Sequence, residues 1–326
     1  HLVTESTPAN TAVAEPELNH SPAPDDAPST TVEKQPRRSL AERLKASAPE
    51  AALTVAAFVI FAWALDKNGT GNGYYAAAAK SATTSWKNLW YGSLDPGGWI
   101  TVDKPPLGLW LQGLSARMFG FSSWSLLLPS AICGALAVGL LAATVRRVAG
   151  RTSGLVAGGV LALTPVMMAV SRSNNPDAVL VLCLVAAAYS TQRAISEKQP
   201  HWMILAGVFC GLGFLGKLLV AGLVMPGLWG AYLLAGPGRV TRRIRDLVIA
   251  AGAFVAVAAI WVATVDLVPA SARPYIGGST DGSALDLVFG YNGLGRITGN
   301  SGPGGNGFPG GGSTPGGGGF GAIGAG

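Results

Sequence analysis

The chain has 326 residues, of which 49% are hydrophobic and only 12% are charged, with a formal net charge of +6. The apolar residues form long blocks instead of recurring on one face of a soluble helix, which is typical of a membrane protein. The basic residues lie between these blocks and are not gathered into a patch with interleaved aromatic residues, which argues against a nucleic-acid partner. We therefore expect an all-α, polytopic helical membrane protein.

Residues 1–36 are rich in proline, alanine, threonine and acidic residues, with too little apolar content to offset the entropy of ordering. This composition predicts a disordered cytoplasmic tail. In residues 37–48, Ser39 and Glu42 have the spacing of a capping box and basic side chains surround them, which predicts a basic juxtamembrane helix. The chain does not begin with Met, so we expect the numbering to start inside a longer gene product.

Residues 49–266 form the predicted transmembrane core, in which seven apolar segments approach, with their flanks, the roughly 20 residues that a hydrocarbon core requires. A large outer loop with short interfacial helices is expected over residues 66–122. An outer loop segment follows at 267–298, and the glycine-rich residues 299–326 read as a flexible tail. The predicted spans are 51–65, 126–145, 153–170, 178–190, 203–216, 218–235 and 247–265.

The basic residues predict the orientation, because short cytoplasmic loops collect Lys and Arg. With the N-terminus inside, every inner loop is basic, and the large loop faces the outside of the cytoplasmic membrane. The inner-loop basic residues are Arg146, Arg147, Arg151, Arg193, Lys198, Arg239, Arg242, Arg243 and Arg245.

The boundary at Gly216-Lys217 joins two apolar runs with almost no connection. One fused helix would be too long for a bilayer and would reverse the orientation of the next loop. We therefore expect two helices with a tight outer turn, made by Gly211, Gly213 and Gly216. Lys217 then lies at the outer surface, either at a functional site or as a snorkelling lysine.

Charge, proline and aromatic residues crowd together between residues 95 and 110. Asp103 and Lys104 precede a double proline that disfavours helix before it and can start one after it. They are either part of a chemical site or caps of that helix. Asp95, in an Asp-Pro-Gly-Gly turn, is either a second carboxylate of the site or a turn former. A second predicted outer loop, residues 171–177 (SRSNNPD), adds basic, amide and acidic groups on the same side.

Several strings in this order resemble the protein-mannosyltransferase-like membrane glycosyltransferases of bacteria, which belong to the GT-C class. The similarity covers roughly residues 50–298, and the aminoarabinose transferases of lipid A are similar relatives. Members of the family typically continue with several more spans, so we expect a truncated chain that holds the donor-site half. The strings are YYAAAAKSATTSW (74–86), DPGGWITVDKPPLGLWLQ (95–112), WSLLLP (124–129), SRSNNPD (171–177), RPYIGGS (273–279) and GYNGLGR (290–296).

The resemblance implies transfer of a sugar from a polyprenyl-phosphate donor to a protein or to a cell-envelope glycan or lipid, beside membrane lipids. Similar enzymes carry an acidic pair before a tyrosine-rich helix, and this chain has Gly71-Asn72 there. An amide cannot act as a general base, so the base falls to the carboxylates of the same loop. Asp103 stands where relatives have an acidic residue before Lys-Pro-Pro, and Lys104 stands at the lysine associated with the carrier phosphate.

These considerations give a set of candidate site residues. The tyrosines and tryptophans in it are either sugar or prenyl contacts or members of an interfacial aromatic belt. We expect Asp103 and Asp95 to be catalytic; Lys104, Arg172 and Lys217 to bind the donor phosphate; and Asn72, Tyr74, Tyr75, Trp99, Asn175 and Asp177 to bind substrate.

A histidine-ligated metal is not expected, because the histidines lie in the tail and in an inner loop. Oxygen ligation of a divalent cation by Asp95, Asp103 or Asp177 stays open, although nothing in their spacing requires it. The cysteines indicate neither a disulfide nor a zinc site. A transporter or channel would place charges at mid-membrane, whereas the charges of this chain lie in the predicted loops. A non-catalytic lipid-linked-sugar binding protein, or an inactive fragment of such an enzyme, stays open as an alternative.

Overall fold

The structure is a computed structural model that describes residues 40–294. The predicted tail 1–36 and the glycine-rich segment 299–326 lie outside the described residues. Contacts divide the chain into a unit that ends at Arg43, of which only Leu40–Arg43 is described, and a unit that starts at Leu44. Within 40–294 the secondary structure is helical, with two isolated β-bridges and no β-strand.

The described part contains eleven longer helices, joined by short 3-10 turns and loops. The helix that starts at Leu40 is continuous through the boundary predicted at residue 48. The helices are α1 Leu40–Ala62, α2 Gly73–Thr84, α3 Trp86–Tyr91, α4 Leu107–Phe119, α5 Ser123–Ala149, α6 Arg151–Leu163, α7 Pro165–Ser171, α8 Asp177–Ser196, α9 His201–Lys217, α10 Met225–Ala235 and α11 Val240–Leu267.

Four helical stretches of the described part are long and apolar enough to cross a membrane, and a fifth is added if the bent pair α6 and α7 counts as one span. These stretches confirm the helical membrane class, but they do not confirm the predicted number of seven spans. The apolar part of α1, Ser47–Ala62, is shorter than the other candidates. The four long stretches are Ser123–Ala149, Asp177–Ser196, His201–Ala235 and Val240–Leu267.

The predicted span 153–170 is broken in the middle. Helices α6 and α7 meet at an angle of 65° across Thr164, which has an extended backbone. Pro165 explains the break, because proline disfavours helical geometry in the residue before it and supplies no N–H to continue the hydrogen-bond ladder. At the same time Pro165 is well suited to the first position of α7.

The chain turns back between α9 and α10. Met203 near the start of α9 and Tyr232 near the end of α10 belong to one buried cluster with Ala250. A single uninterrupted helix would hold Met203 and Tyr232 roughly 40 Å apart, so the two helices run in opposite directions. The predicted division at Lys217 is therefore present.

The connection from α9 to α10 differs from the predicted tight glycine turn. It is a 3-10 segment, Leu218–Val224, and the residue that adopts a positive φ is Leu218 (+53°). Gly211 and Gly213 lie inside α9, where Cβ atoms would come 2.7 Å from Val257 Cβ and 3.2 Å from Ala221 Cβ. These glycines allow close packing between helices and do not make the turn.

Helices α2, α3 and α4 form a compact layer in the loop between α1 and α5. Gly113 of α4 faces Ala82 and Leu89 so closely that a Cβ would lie 2.8 Å and 2.6 Å from their side chains. The later segment from Val268 onward joins this layer through backbone hydrogen bonds between Thr101 N–H and the Tyr275 carbonyl (2.9 Å). Short helices were predicted for this loop, and they are present.

The helices have two ends that differ in composition. We call the end with residues 63–122, 172–176 and 218–224 the loop end, and the end with residues 146–151, 193–200 and 236–245 the arginine end. At the arginine end Glu197 accepts hydrogen bonds from Arg147 (2.9 Å) and Arg193 (2.8 Å), and the Arg193 guanidinium lies 3.8 Å from the Trp202 ring centroid. These contacts tie α5, α8 and α9 together on that side.

Candidate functional site

Asp103 and Lys104 form an ion pair at the loop end. Lys104 Nζ donates to the Asp103 carboxylate at 2.5 Å and to the Asp103 carbonyl at 3.1 Å, and the two side chains are 11% and 23% exposed for Lys104 and Asp103. The N-cap of the following helix α4 is Pro106, with no side-chain capping bond. Neither Asp103 nor Lys104 therefore caps this helix through a side-chain hydrogen bond.

Tyr74 places the tyrosine-rich helix α2 beside this pair. The backbone N–H of Asp103 donates to Tyr74 Oη at 3.0 Å, and the Tyr74 side chain is 37% exposed. Tyr75 contacts Tyr74 edge to face at 5.5 Å between centroids and packs against the buried cluster that contains Val102. Of the two predicted substrate tyrosines, Tyr74 is thus next to Asp103, whereas Tyr75 is largely a packing residue.

Asn174 joins the two loops of the site. Its side-chain oxygen accepts from Asn72 N–H at 2.7 Å, its Nδ2 donates to the Asn72 carbonyl at 2.9 Å, and its own carbonyl accepts from Gln112 at 2.7 Å. Asn174 is fully buried. Asn174 lies in the predicted loop 171–177, but it was not among the predicted site residues. The only sequence signal for it is the pair of amides, Asn174 and Asn175, before Pro176.

The departure at Gly71-Asn72 has a structural explanation. Asn72 is the N-cap of α2, and its side chain accepts from Tyr74 N–H at 2.9 Å. Gly71 has φ +69°, and a Cβ there would lie 2.6 Å from Asn174 Oδ1. The Asn174 side chain therefore occupies the space that the Cβ of an acidic residue at position 71 would need.

The side chain of Asp95 accepts hydrogen bonds from the backbone of its own loop. Its carboxylate accepts from Trp99 N–H (3.0 Å) and Ile100 N–H (3.2 Å), and its carbonyl accepts from Ser81 Oγ (2.6 Å). These contacts are those of a turn former, the alternative that the sequence left open. Trp99 is 81% exposed and projects from this turn.

The side chain of Arg172, which was predicted to bind phosphate, is hydrogen-bonded to the C-terminal end of α1. Its guanidinium donates to the carbonyls of Ile60 (3.1 Å) and Phe61 (3.2 Å), and it also contacts Asn68 Oδ1 at 3.4 Å. A cation at the last carbonyls of a helix is favourable both as a hydrogen-bond donor and against the helix dipole. The contacts of Arg172 are thus structural.

Lys217 and Asp177 form a second ion pair at the loop end. It connects the last residue of α9 with the first residue of α8, and each side chain is about one quarter exposed, at 27% and 28%. Lys217 therefore has a specific partner and does not simply snorkel. Asn175, beside Asp177, is half-buried, and its backbone N–H donates to Ser173 Oγ at 3.3 Å.

Packing brings the elements that carry these two ion pairs together. A Cβ on Gly108 of α4 would lie 3.2 Å from Pro176 Cβ, directly before Asp177. Leu107 packs against the buried cluster that contains Ala178 and Val179. The start of α4, which follows Asp103-Lys104, is thus in contact with the start of α8.

A cavity of about 550 Å³ opens next to these helix starts. Its walls come from α1, α4, α5, α8 and α9 and are almost entirely apolar, and they run from Leu107 and Val179 down α5 toward Ala143. Ten residues of α-helix from Cys133 to Ala143 correspond to about 15 Å. The lining is thus hydrocarbon in character over this length. Other lining residues are Leu111, Leu136, Leu140, Leu182, Cys183 and Leu212.

Residues 40–294 contain no group of three or more His, Cys, Asp or Glu side chains that could bind a metal ion. Asp95 caps its own turn, and Asp103 and Asp177 each pair with a lysine. The divalent cation left open by the sequence thus finds no support in the described part. The three cysteines are buried and unbridged.

Residues 103–264 match the family model described as dolichyl-phosphate-mannose-protein mannosyltransferase. The chain is 41% identical over 239 residues to the putative mannosyltransferase YkcB of Bacillus subtilis (strain 168), covering 73% of this chain and 33% of that protein. The corresponding values for the putative mannosyltransferase YycA of the same organism are 38% over 235 residues, 72% and 34%. The chain thus spans about one third of the length of these curated relatives.

A more distant match is the polyprenol-phosphate-mannose–protein mannosyltransferase of Corynebacterium glutamicum, 31% identical over 130 residues, which covers 39% of this chain and 25% of that protein. Among solved structures, ArnT from Cupriavidus metallidurans matches in the apo state and bound to undecaprenyl phosphate. The TM-score is 0.54 in both cases, with 21% and 20% identity, over 68% of this chain and 42% of ArnT. At this identity the likeness to ArnT concerns the fold. The family match and the Bacillus relatives show that the chain belongs to the protein-mannosyltransferase-like membrane glycosyltransferases of the GT-C class.

Proposed function

We propose that this chain forms the donor site of a glycosyltransferase that moves a sugar from a polyprenyl-phosphate carrier to a protein or cell-envelope acceptor. The observation that carries the proposal is the apolar cavity with two Asp–Lys pairs near one end. An apolar cavity whose lining residues Leu107 and Val179 closely follow Lys104 and Asp177 in the chain matches a lipid with a phosphate head. The relative with bound undecaprenyl phosphate has the same fold, which supports this choice of carrier.

The prenyl chain is assigned to the cavity. The tail of the carrier comes from the bilayer and is already out of water, so the cavity contributes van der Waals packing and not a water-to-apolar transfer free energy. The long wall along α5 and α8 offers hydrocarbon contacts from Val179 to Ala186. A soluble nucleotide sugar would gain nothing from such a lining.

The carrier phosphate is assigned to Lys104 and Lys217. In the described structure each lysine is neutralised by an aspartate, Asp103 or Asp177, so an arriving phosphate competes with these carboxylates. As the bond between the anomeric carbon and the phosphate oxygen breaks, its electron pair stays on the phosphate, and the lysines stabilise the added negative charge. Arg172 is left out of this role because it holds the end of α1.

Asp103 is proposed as the base. The acceptor O–H attacks the anomeric carbon and loses its proton to the Asp103 carboxylate, while the carrier phosphate leaves. The arriving phosphate competes with Asp103 for Lys104. Tyr74 adjoins Asp103 and is exposed, so we assign the sugar to this tyrosine, with Asn72, Asn175 and Trp99 further away as secondary candidates.

The orientation is part of the same proposal. The positive-inside rule puts the arginine end in the cytoplasm, and the loop end with Asp103 then faces the outside of the cytoplasmic membrane. The arginines of several loops gather at that one end, for example Arg147 beside Glu197 and Arg243 beside the carbonyl of Leu233. Residues 49–266 are proposed as the membrane core and 267–298 as an outer segment.

Transfer of labelled sugar from polyprenyl-phosphate-mannose tests the reaction, in membranes that lack the gene and are complemented with each variant at equal expression. We expect Asp103→Asn and Lys104→Ala to abolish transfer. Asp95→Asn is the matched control, because its amide oxygen still accepts the turn's hydrogen bonds. Loss of transfer in Asp95→Asn with an active Asp103→Asn would move the base to Asp95, and full activity in all three would overturn the site.

Binding is tested separately through the native cysteines. Cys133 and Cys183 line the cavity, whereas Cys210 is buried elsewhere. Polyprenyl phosphate should protect Cys133 and Cys183 from N-ethylmaleimide in the folded protein. Equal labelling with and without polyprenyl phosphate would contradict the assignment of the cavity.

A second candidate is a non-catalytic lipid-linked-sugar binding protein. Gly71-Asn72 favours it, because the acidic pair of similar enzymes is missing and Asn174 fills the space beside Gly71. This function predicts cysteine protection by polyprenyl phosphate without any transfer from the wild-type protein. The catalytic proposal predicts both.

A further inference from the structure

The turn between α4 and α5 presents large apolar side chains outward. Met118 is 74% exposed, Phe119 56%, Phe121 39% and Trp124 42%, and Trp86 of α3 is 67% exposed. We call these five residues the corner patch. Contiguous exposed apolar surface of this kind usually marks an interaction surface.

The backbone under the corner patch is fixed by hydrogen bonds that point inward. Ser122 and Ser125 form a reciprocal capping box, Ser125 Oγ donates to the Gly120 carbonyl at 2.5 Å, and Ser115 Oγ donates to the Ser125 carbonyl at 2.6 Å. Gly120 turns the chain with φ +80°. Because the polar groups are satisfied on the inside, the rings on the outside form a preformed surface.

Basic side chains lie against the rings of the patch. The Arg117 guanidinium is 4.1 Å from the Trp86 ring centroid, and its Nε donates to the Ala82 carbonyl at 2.8 Å. Lys80 Nζ lies 5.6 Å from the Phe121 centroid. Aromatic rings flanked by cations are complementary to the boundary of a bilayer, where acyl chains meet anionic phosphates.

The patch lies at the start of a candidate span. Trp124 is in the first turn of α5, and the exposed residues Ile132 (40%) and Leu136 (47%) lie further along the same helix, beyond the buried Leu128. A ring at the end of a span lies at the depth of the headgroups. We infer that the corner patch inserts into the phospholipid headgroup region of the bilayer that α5 crosses. It thereby anchors the α2–α4 layer, which carries Tyr74, at the membrane surface.

Site-directed spin labelling tests this anchor, in a background in which Cys133, Cys183 and Cys210 are replaced by alanine. Met118→Cys, Phe121→Cys and Trp124→Cys would each carry a nitroxide, in the whole protein in nanodiscs of phosphatidylglycerol and phosphatidylcholine. Asp281→Cys is the control, since that charged side chain is exposed at the same end. We expect the three patch labels to collide more with oxygen than with a water-soluble nickel chelate, and the control label to show the reverse.

Two outcomes would overturn the inference. Patch labels with the same nickel accessibility as Asp281→Cys would place the patch in water. Patch labels shielded from both oxygen and nickel would place it against another protein surface.

The role of the cations is tested by lipid charge. The label at Met118 should lie deeper with phosphatidylglycerol than with phosphatidylcholine alone, and Arg117→Gln should remove this difference. The same depth in both lipids for the parent protein would contradict the contribution of phosphate contacts.

Discussion

The side chain of Asn174 forms two hydrogen bonds with the backbone of Asn72, accepting from its N–H at 2.7 Å and donating to its carbonyl at 2.9 Å. These two residues are 102 positions apart in the chain. The paired bonds hold the start of α2 against the 171–177 loop. Through Tyr74, which accepts from Asp103 N–H, the same contact positions the proposed base.

Replacing Asn174 tests this connection. Asn174→Ala removes the two side-chain hydrogen bonds to the Asn72 backbone and keeps the bond from Gln112, which goes to the Asn174 carbonyl; each lost bond costs about 0.5–1.5 kcal/mol. We expect a clearly lower melting temperature in detergent and a large loss of sugar transfer. Asn175→Ala is the comparison, because Asn175 is only half-buried; equal melting temperatures for the two variants would contradict the role of Asn174.

Introducing a carboxylate at position 71, where similar enzymes carry an acidic residue, should destabilise the folded protein. Gly71→Asp puts a Cβ 2.6 Å from Asn174 Oδ1 on a backbone with φ +69°, so both the clash and the left-handed conformation destabilise it. The control is the same substitution in an Asn174→Ala background, compared with Asn174→Ala alone, because the backbone φ of +69° is unchanged there and Asn174 Oδ1 is absent. Thermal unfolding should show a larger loss for Gly71→Asp in the wild type than in this background. If the two losses are equal, backbone strain alone explains the loss, and Asn174 does not restrict position 71.

The second ion pair should set the affinity for the carrier. Asp177→Asn frees Lys217 from its carboxylate, so polyprenyl phosphate should protect Cys133 and Cys183 at lower concentrations than in the wild type. Lys217→Met should require higher concentrations. Because the pair is about one quarter exposed, we expect only a small change in stability for Asp177→Asn. Weaker protection in Asp177→Asn would indicate that the pair must stay intact for binding.

Acid should loosen the arginine end. Hydrogen bonding to Arg193, together with Arg147, lowers the pKa of Glu197 in the folded protein below its ordinary value. A lowered folded-state pKa means that the contribution of Glu197 to stability is present above its unfolded pKa, about 4.3, and is lost as the pH falls through the folded value. Melting temperature should therefore fall in acid more steeply for the wild type than for Glu197→Gln. Parallel pH profiles would show that Glu197 is not linked to folding.

The sequence by itself determined the class of protein, because long apolar blocks and proline or glycine breaks act locally. The helical membrane fold, the short helices of the large loop and the division of the chain at Lys217 all follow from residues close together in the chain. The predicted number of seven spans is not confirmed. Pro165 bends one predicted span by 65°, and the apolar part of α1 is shorter than the long candidates.

Only the tertiary structure decided which side chains meet. Asp177 forms an ion pair with Lys217, 40 positions away in the chain, and Asn174 forms hydrogen bonds with Asn72, 102 positions away. The sequence could not separate Asp103 from Asp95, or Lys104 from Arg172, because a carboxylate or a cation in a loop has the same local signature whether it serves a site or a helix end. In the tertiary structure Asp103 pairs with Lys104 and Asp177 with Lys217, whereas Asp95 and Arg172 are bonded to the backbone.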